Sequence, residues 1–94
     1  MNILWSPRAV GHLRQIRDYI AEDDPGAAAR VAEKILSCVE LVAQQPSLGR
    51  PGRVPGTREL VVTGTPYIAP YRIHRERLEV IAVFHGRQKW PSRF

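Results

Sequence analysis

Apolar residues recur at helical spacing through the first half of the chain and alternate with polar ones through much of the second. The first period belongs to helices with one buried face, the second to half-buried strands. After a short β-like run, Asn2-Ile3-Leu4-Trp5, the pair Ser6-Pro7 supplies an N-cap and a proline at the first helical position, where its missing N–H costs nothing. Ala9, Leu13, Ile16 and Ile20 then share one face of a helix predicted over residues 7–22. Asp24-Pro25 starts a second helix by the same logic. Ala28, Val31, Ala32, Ile35, Val39 and Val42 form its stripe, widened by Leu36 and Ala43. Pro46 ends it near Gln45, because the residue before a proline is pushed out of the helical region. Two such helices joined by a few residues make an αα-hairpin, whose stripe must cover something apolar.

Residues 46–56 hold six prolines and glycines in eleven positions, which predicts a surface loop with no regular element, displaying Arg50 and Arg53. Beyond it the period is two. Strands are predicted over residues 58–62, 67–74 and 78–85, with a turn at Gly64-Thr65-Pro66. A two- or four-residue connection at Arg75-Glu76 sets Ile73 opposite Leu78 and Arg72 opposite Glu79, pairing like with like and cation with anion. Pro70 cannot donate to a ladder, so it belongs at an edge, at a bulge, or with its nitrogen turned away from a neighbouring strand. The tail, residues 86–94, reads as irregular. The order is β-α-α-β-β-β, an α+β fold in which a short N-terminal strand and a helical hairpin lie on a small antiparallel sheet.

A chain of 94 residues has room for one domain, residues 1–94, and buries too little surface to be more than marginally stable. That favours life with a partner. Cys38, the only cysteine, excludes an internal disulfide and a multi-cysteine metal site, and reads as a small buried hydrophobe. No apolar run approaches the ~20 residues that span a bilayer and no signal peptide opens the chain, so a cytoplasmic protein is expected. No cofactor or metal motif is present. The net charge of +5 is unevenly placed: residues 1–45 carry −1, and residues 46–94 carry +6. Such asymmetry attracts a polyanion or an acidic polypeptide.

Five stretches, in order across nearly the whole chain, resemble the ParE/RelE toxin superfamily. They are Trp5-Ser6-Pro7 with Ala9; Tyr19-Ile20, Asp24-Pro25 and Ala27-Ala28 at the helix junction; and Pro46-Ser47-Leu48-Gly49-Arg50. Gly56-Thr57-Arg58-Glu59-Leu60-Val61 follows, and the last set runs from Tyr67 and Tyr71-Arg72-Ile73 to Val83-Phe84-His85-Gly86-Arg87 with Trp90-Pro91. The resemblance implies a RelE/ParE-like fold and a bacterial, plasmid-stabilising type of growth inhibitor, neutralised by a cognate acidic antitoxin in a hetero-oligomeric complex. It implies one of two activities: inhibition of DNA gyrase without nuclease action, or ribosome-dependent cleavage of mRNA by 2′-hydroxyl attack.

Metal-free RNA cleavage requires a base, cations for the phosphorane and an acid for the leaving oxygen. Arg58, His85 and Arg87 are the candidates here. His85 alone has a suitable pKa, since an arginine is no base at neutral pH. RelE-like nucleases tend to carry tyrosine, or a His-Tyr pair, at the end of the last strand; here Gly86 follows His85 and no tyrosine lies beyond Tyr71. The incomplete set, with His85-Gly86-Arg87 followed by Trp90-Pro91, is similar to the gyrase-inhibiting branch. Binding of antitoxin or target is expected through Arg50, Arg53, Arg58, Arg72, Arg87, Lys89 and Trp90. A basic nucleic-acid-binding module without toxicity is the third class. Against these stand plainer roles: His85 as a strand cap, His12 and His74 as surface residues, Arg58–Glu59 as a local ion pair and Arg72–Glu79 as a cross-strand one. Trp5 belongs in the core or in a groove beside the helical hairpin, and Trp90 either meets a partner or tucks down the tail.

Overall fold

The computed structural model describes residues 1–94. Strand β1 (Asn2–Trp5) leads into helices α1 (Pro7–Ala21) and α2 (Pro25–Gln44), and a 3-10 turn (Pro46–Leu48) follows. The remaining strands are β2 (Arg50–Pro51), β3 (Arg58–Val61), β4 (Tyr67–His74), β5 (Arg77–Val80) and β6 (Phe84–His85).

Both helices begin as the sequence dictates. The Ser6 hydroxyl accepts from the Ala9 N–H and the Asp24 carboxylate from the Ala27 N–H, each at 3.0 Å. Ser6 has a second task, donating its hydroxyl proton to the Ile81 carbonyl at 2.6 Å. One side chain thereby caps α1 and ties it to the sheet.

The sheet runs β1-β5-β4-β3-β2, with β6 also pairing β4. Strands β3, β4 and β5 are antiparallel neighbours, and Ile73 faces Leu78 and Arg72 faces Glu79 in the expected register. The outermost strand differs: β1 lies parallel to β5, Ile3 beside Leu78 and Trp5 beside Val80, so the sheet is mixed and not wholly antiparallel.

One sheet face carries Tyr67, Ala69, Tyr71, Leu78 and Val80, all buried under Ala9, Ile35, Val39, Val42 and Ala43 of the helices. Trp5 and Cys38 complete this core from its margin: Trp5 packs partly buried against it, and Cys38 is half-buried rather than fully enclosed. Leu36 departs from the expected stripe. It is 43% exposed and lines an outer groove with Val10, because α1 covers only one side of α2.

Two expectations fail on the strand side. The loop over residues 46–56 contains regular structure after all, the 3-10 turn and β2, because Arg50 and Pro51 pair with Glu59 and Arg58. The strand expected over residues 78–85 is broken. It ends at Val80, and Ile81, Ala82 and Val83 leave the ladder before Phe84 and His85 rejoin β4 opposite Ile68 and Tyr67. All of residues 81–84 are buried, so the alternation of faces stops there. Pro70 supplies the reason. Its carbonyl accepts from the Ile81 N–H at 2.9 Å, but its own nitrogen, on the same edge, has no proton to give, and the bulge lies opposite that gap.

Candidate functional site

The face of the sheet turned away from the helices is occupied by charge. Glu59 stands there beside Pro70, only 2% exposed, an unusual place for a carboxylate. Arg50 donates to its Oε1 from Nε at 3.1 Å and Nη2 at 2.9 Å. Arg53 donates to Oε2 from its backbone N–H at 2.8 Å and its Nε at 2.9 Å, and to Oε1 from Nη2 at 3.2 Å. Burial pushes the Glu59 carboxyl up. The hydrogen bonds from Arg53 and Arg50, with the charge of Arg53, more than offset this and hold it below its ordinary value. The sequence alone left this residue as a local partner of Arg58. Instead, Arg58 projects toward the turn and donates to the Gly49 carbonyl at 2.7 Å.

Arg53 also stacks on Trp90, its Cζ 3.5 Å from the ring centroid. Trp90 also packs on Phe84, at 4.7 Å between ring centres, with Ile81, Ala82 and Phe94 in the same small cluster, and its Nε1–H donates to the His85 carbonyl at 3.5 Å. Phe94 in turn lines a cleft of about 210 Å³ with Arg8, Arg72 and Glu79. The irregular tail thus lies across the charged face, and Trp90 is the residue that fastens it.

The expected binding residues divide into two groups. Arg50, Arg53 and Arg72 are each bound to a carboxylate, Arg72 to Glu79 at 2.6 Å. Arg87 and Lys89 are exposed on the tail and make no ion pair within the fold.

Of the three candidates for RNA cleavage, His85 and Arg87 lie together and Arg58 lies apart. Arg58 pairs with Tyr71 on one edge of β4 and His85 with Tyr67 on the other, which separates their backbones by roughly 16 Å. His85 Nδ1 accepts the Arg87 N–H at 3.1 Å, and the ring meets Tyr67 edge-on at 5.8 Å. On the helix side, His85 shares a cleft of about 400 Å³ with His12, Gln15, Tyr19 and Tyr67.

His12 is not the surface residue expected. Its Nδ1 accepts from the Val83 N–H at 3.1 Å, and burial, aided by Arg8, lowers its pKa. It serves a backbone donor freed by the bulge. His74, by contrast, is exposed as expected.

Two contributors escaped the sequence reading: Glu59 as the hub of the charged face, and His12 as a prop for residues 81–83. For Glu59 a signal existed, a lone acid in an alternating strand with two arginines upstream across a Pro/Gly turn. For His12 there was none.

Comparison with known structures places this architecture in a class. A chain of the chromosomal ParDE TA system from P. aeruginosa superposes with a TM-score of 0.82 at 27% identity, covering 90% of this chain and 95% of that one. The fold is therefore the α+β fold of RelE/ParE type. The family model for the ParE toxin of the type II toxin–antitoxin system parDE matches residues 3–90. Toxin Y4kP of Sinorhizobium fredii is 49% identical over 90 residues, 96% of this chain and 93% of its own length. Toxin RelE2 of Caulobacter vibrioides is 32% identical over 84 residues, 89% of this chain and 93% of its own. The chain belongs to the ParE toxin family of type II toxin–antitoxin systems.

Proposed function

We propose that this toxin arrests bacterial growth by binding DNA gyrase, and that a cognate acidic antitoxin neutralises it in the cytoplasm. The observation that carries the gyrase reading is the dispersal of RNA-cleaving groups. A nuclease of this size needs a base, an acid and phosphate-neutralising cations within hydrogen-bond reach of one scissile phosphate. Here Arg58 is bonded to a turn carbonyl, Arg50, Arg53 and Arg72 are bonded to carboxylates, and His85 lies across the sheet from all four with only Arg87 beside it. Such a surface fits recognition of a protein better than phosphoryl chemistry. The antitoxin reading rests on the family and on charge: a net +6 over residues 46–94 complements an acidic polypeptide.

A second reading, a ribosome-dependent mRNA endonuclease, draws on the relative named RelE2 and on the imidazole of His85 in a cleft. Induction of the toxin alone separates the two. Gyrase inhibition produces a DNA-damage response and filamentation; mRNA cleavage produces immediate arrest of translation. Unimpaired growth on induction would favour the third class, a basic binding module without toxicity.

A further inference from the structure

The charged face contains more order than a solvated basic surface needs. Five hydrogen bonds converge on one buried carboxylate, and the better held of its two arginines serves as the bed for an indole. The indole belongs to a tail of nine residues without regular structure, which carries Arg87, Lys89 and Arg93. None of those three has a carboxylate partner, whereas Arg50, Arg53 and Arg72 of the sheet face beneath each have one. Arg50 and Arg53 share the charge of Glu59 and Arg72 is matched by Glu79, so an incoming acid would compete with those carboxylates for them. The tail cations offer full charge.

We propose that Glu59 and Arg53 form a clamp on Trp90 that presents Arg87, Lys89 and Arg93 as a fixed cationic ridge, and that this ridge is the contact for an acidic polypeptide. Glu59 is a positioning residue in this scheme. It touches no partner, but fixes the guanidinium plane of Arg53 from one edge, leaving its face to Trp90. Phe84 and Phe94 supply the apolar floor, with Phe94 drawing the end of the tail toward Arg8 at the start of α1. A preordered ridge spends less conformational entropy on binding than a free tail of equal charge, so the clamp contributes affinity without touching the ligand. The inference rests on the acidic-antitoxin reading and is independent of whether gyrase is the target.

The test uses the full chain and a 20-residue poly-glutamate probe at low salt. Three variants are compared: Trp90→Ala, which breaks the clamp at constant charge; Glu59→Gln; and Arg87→Ser/Lys89→Ser/Arg93→Ser, which removes the ridge charge with the clamp intact. Trypsin cleavage after Arg87 and Lys89 should accelerate at least tenfold in Trp90→Ala and in Glu59→Gln. Probe affinity should fall at least threefold in Trp90→Ala, although its charge is unchanged, and at least tenfold in the triple variant. Trp90→Ala lies outside the main core, so a preserved melting transition separates loss of the clamp from loss of the fold. Wild-type cleavage and affinity in Trp90→Ala, or undiminished affinity in the triple variant, would overturn the proposal. Neither result would bear on gyrase.

Discussion

The Gly49 N–H donates to the phenol oxygen of Tyr71 at 2.9 Å, and the same hydroxyl donates to the Pro46 carbonyl at 2.6 Å. One buried side chain of the central strand thus closes the turn that delivers β2 to the sheet edge. A Cβ on Gly49 would overlap the Tyr71 hydroxyl and ring, so glycine is required here by close approach and not by its φ of −68°. Gly49→Ala should cost about 2–4 kcal/mol, as an overpacked and partly unsatisfied site. Tyr71→Phe should cost about 1–2 kcal/mol by leaving the Gly49 donor without a partner. Chemical denaturation of each variant measures both.

The charged face predicts an asymmetry. Removal of Glu59 releases two arginines whose side chains are already 51% and 43% exposed and can return to water. Removal of both arginines leaves a carboxylate that is 2% exposed with neither counter-charge, held by the Arg53 N–H alone. Arg50→Ala/Arg53→Ala should therefore destabilise by about 3–5 kcal/mol and Glu59→Ala by less. Equal losses would mean that Glu59 is solvated in the native protein.

Acid should weaken the fold in two stages. His12 is lowered from 6.5 by burial and then by Arg8. The unfolded chain takes up that proton first, so stability begins to fall as pH drops below 6.5. Glu59, held below its ordinary 4.5, contributes stability that is full above that value and disappears as pH falls through its lower native value. Melting temperature against pH should lose the first stage in His12→Gln and the second in Glu59→Gln. An unaltered acid limb in both variants would contradict these assignments.

The β4–β5 hairpin turns on Arg75 and Glu76, with φ of 51° and 61°, both in the left-handed region. Two-residue turns of this kind favour Asn-Gly. Arg75→Asn/Glu76→Gly should stabilise the protein by about 1 kcal/mol without touching the open face. A lower melting temperature would count against the turn geometry.

The helical half was legible in the sequence because its signals are local. Proline follows a capping residue twice, and the stripe of α2 repeats at one period. The register of β4 against β5 was legible too, since Ile73–Leu78 and Arg72–Glu79 leave no good alternative. What stayed hidden depends on contacts distant in the chain. The break at residues 81–83 arises from Pro70 on another strand, and alternation in the sequence continues straight through it. Arg50–Pro51 becomes a strand only because Arg58 and Glu59 lie beside it. Glu59 looked like a neighbour of Arg58 along the chain, but strand alternation sends adjacent side chains to opposite faces, toward Arg50 and Arg53 in one case and Gly49 in the other.

The placement of the tail was the least accessible feature. Residues 86–94 carry no period, and only Trp90, out of place in a solvated segment, hinted that they pack; Phe94 joins it in the small cluster.

On the proposed function, this toxin binds a protein target and does not cut RNA. The most direct measurement is a supercoiling assay with purified toxin and gyrase, run beside a translating-ribosome assay that scores message cleavage. Supercoiling should be blocked, the message should stay intact, and His85→Ala should behave as the wild type in both. Cleaved message with unimpaired supercoiling, lost on His85→Ala, would contradict the account.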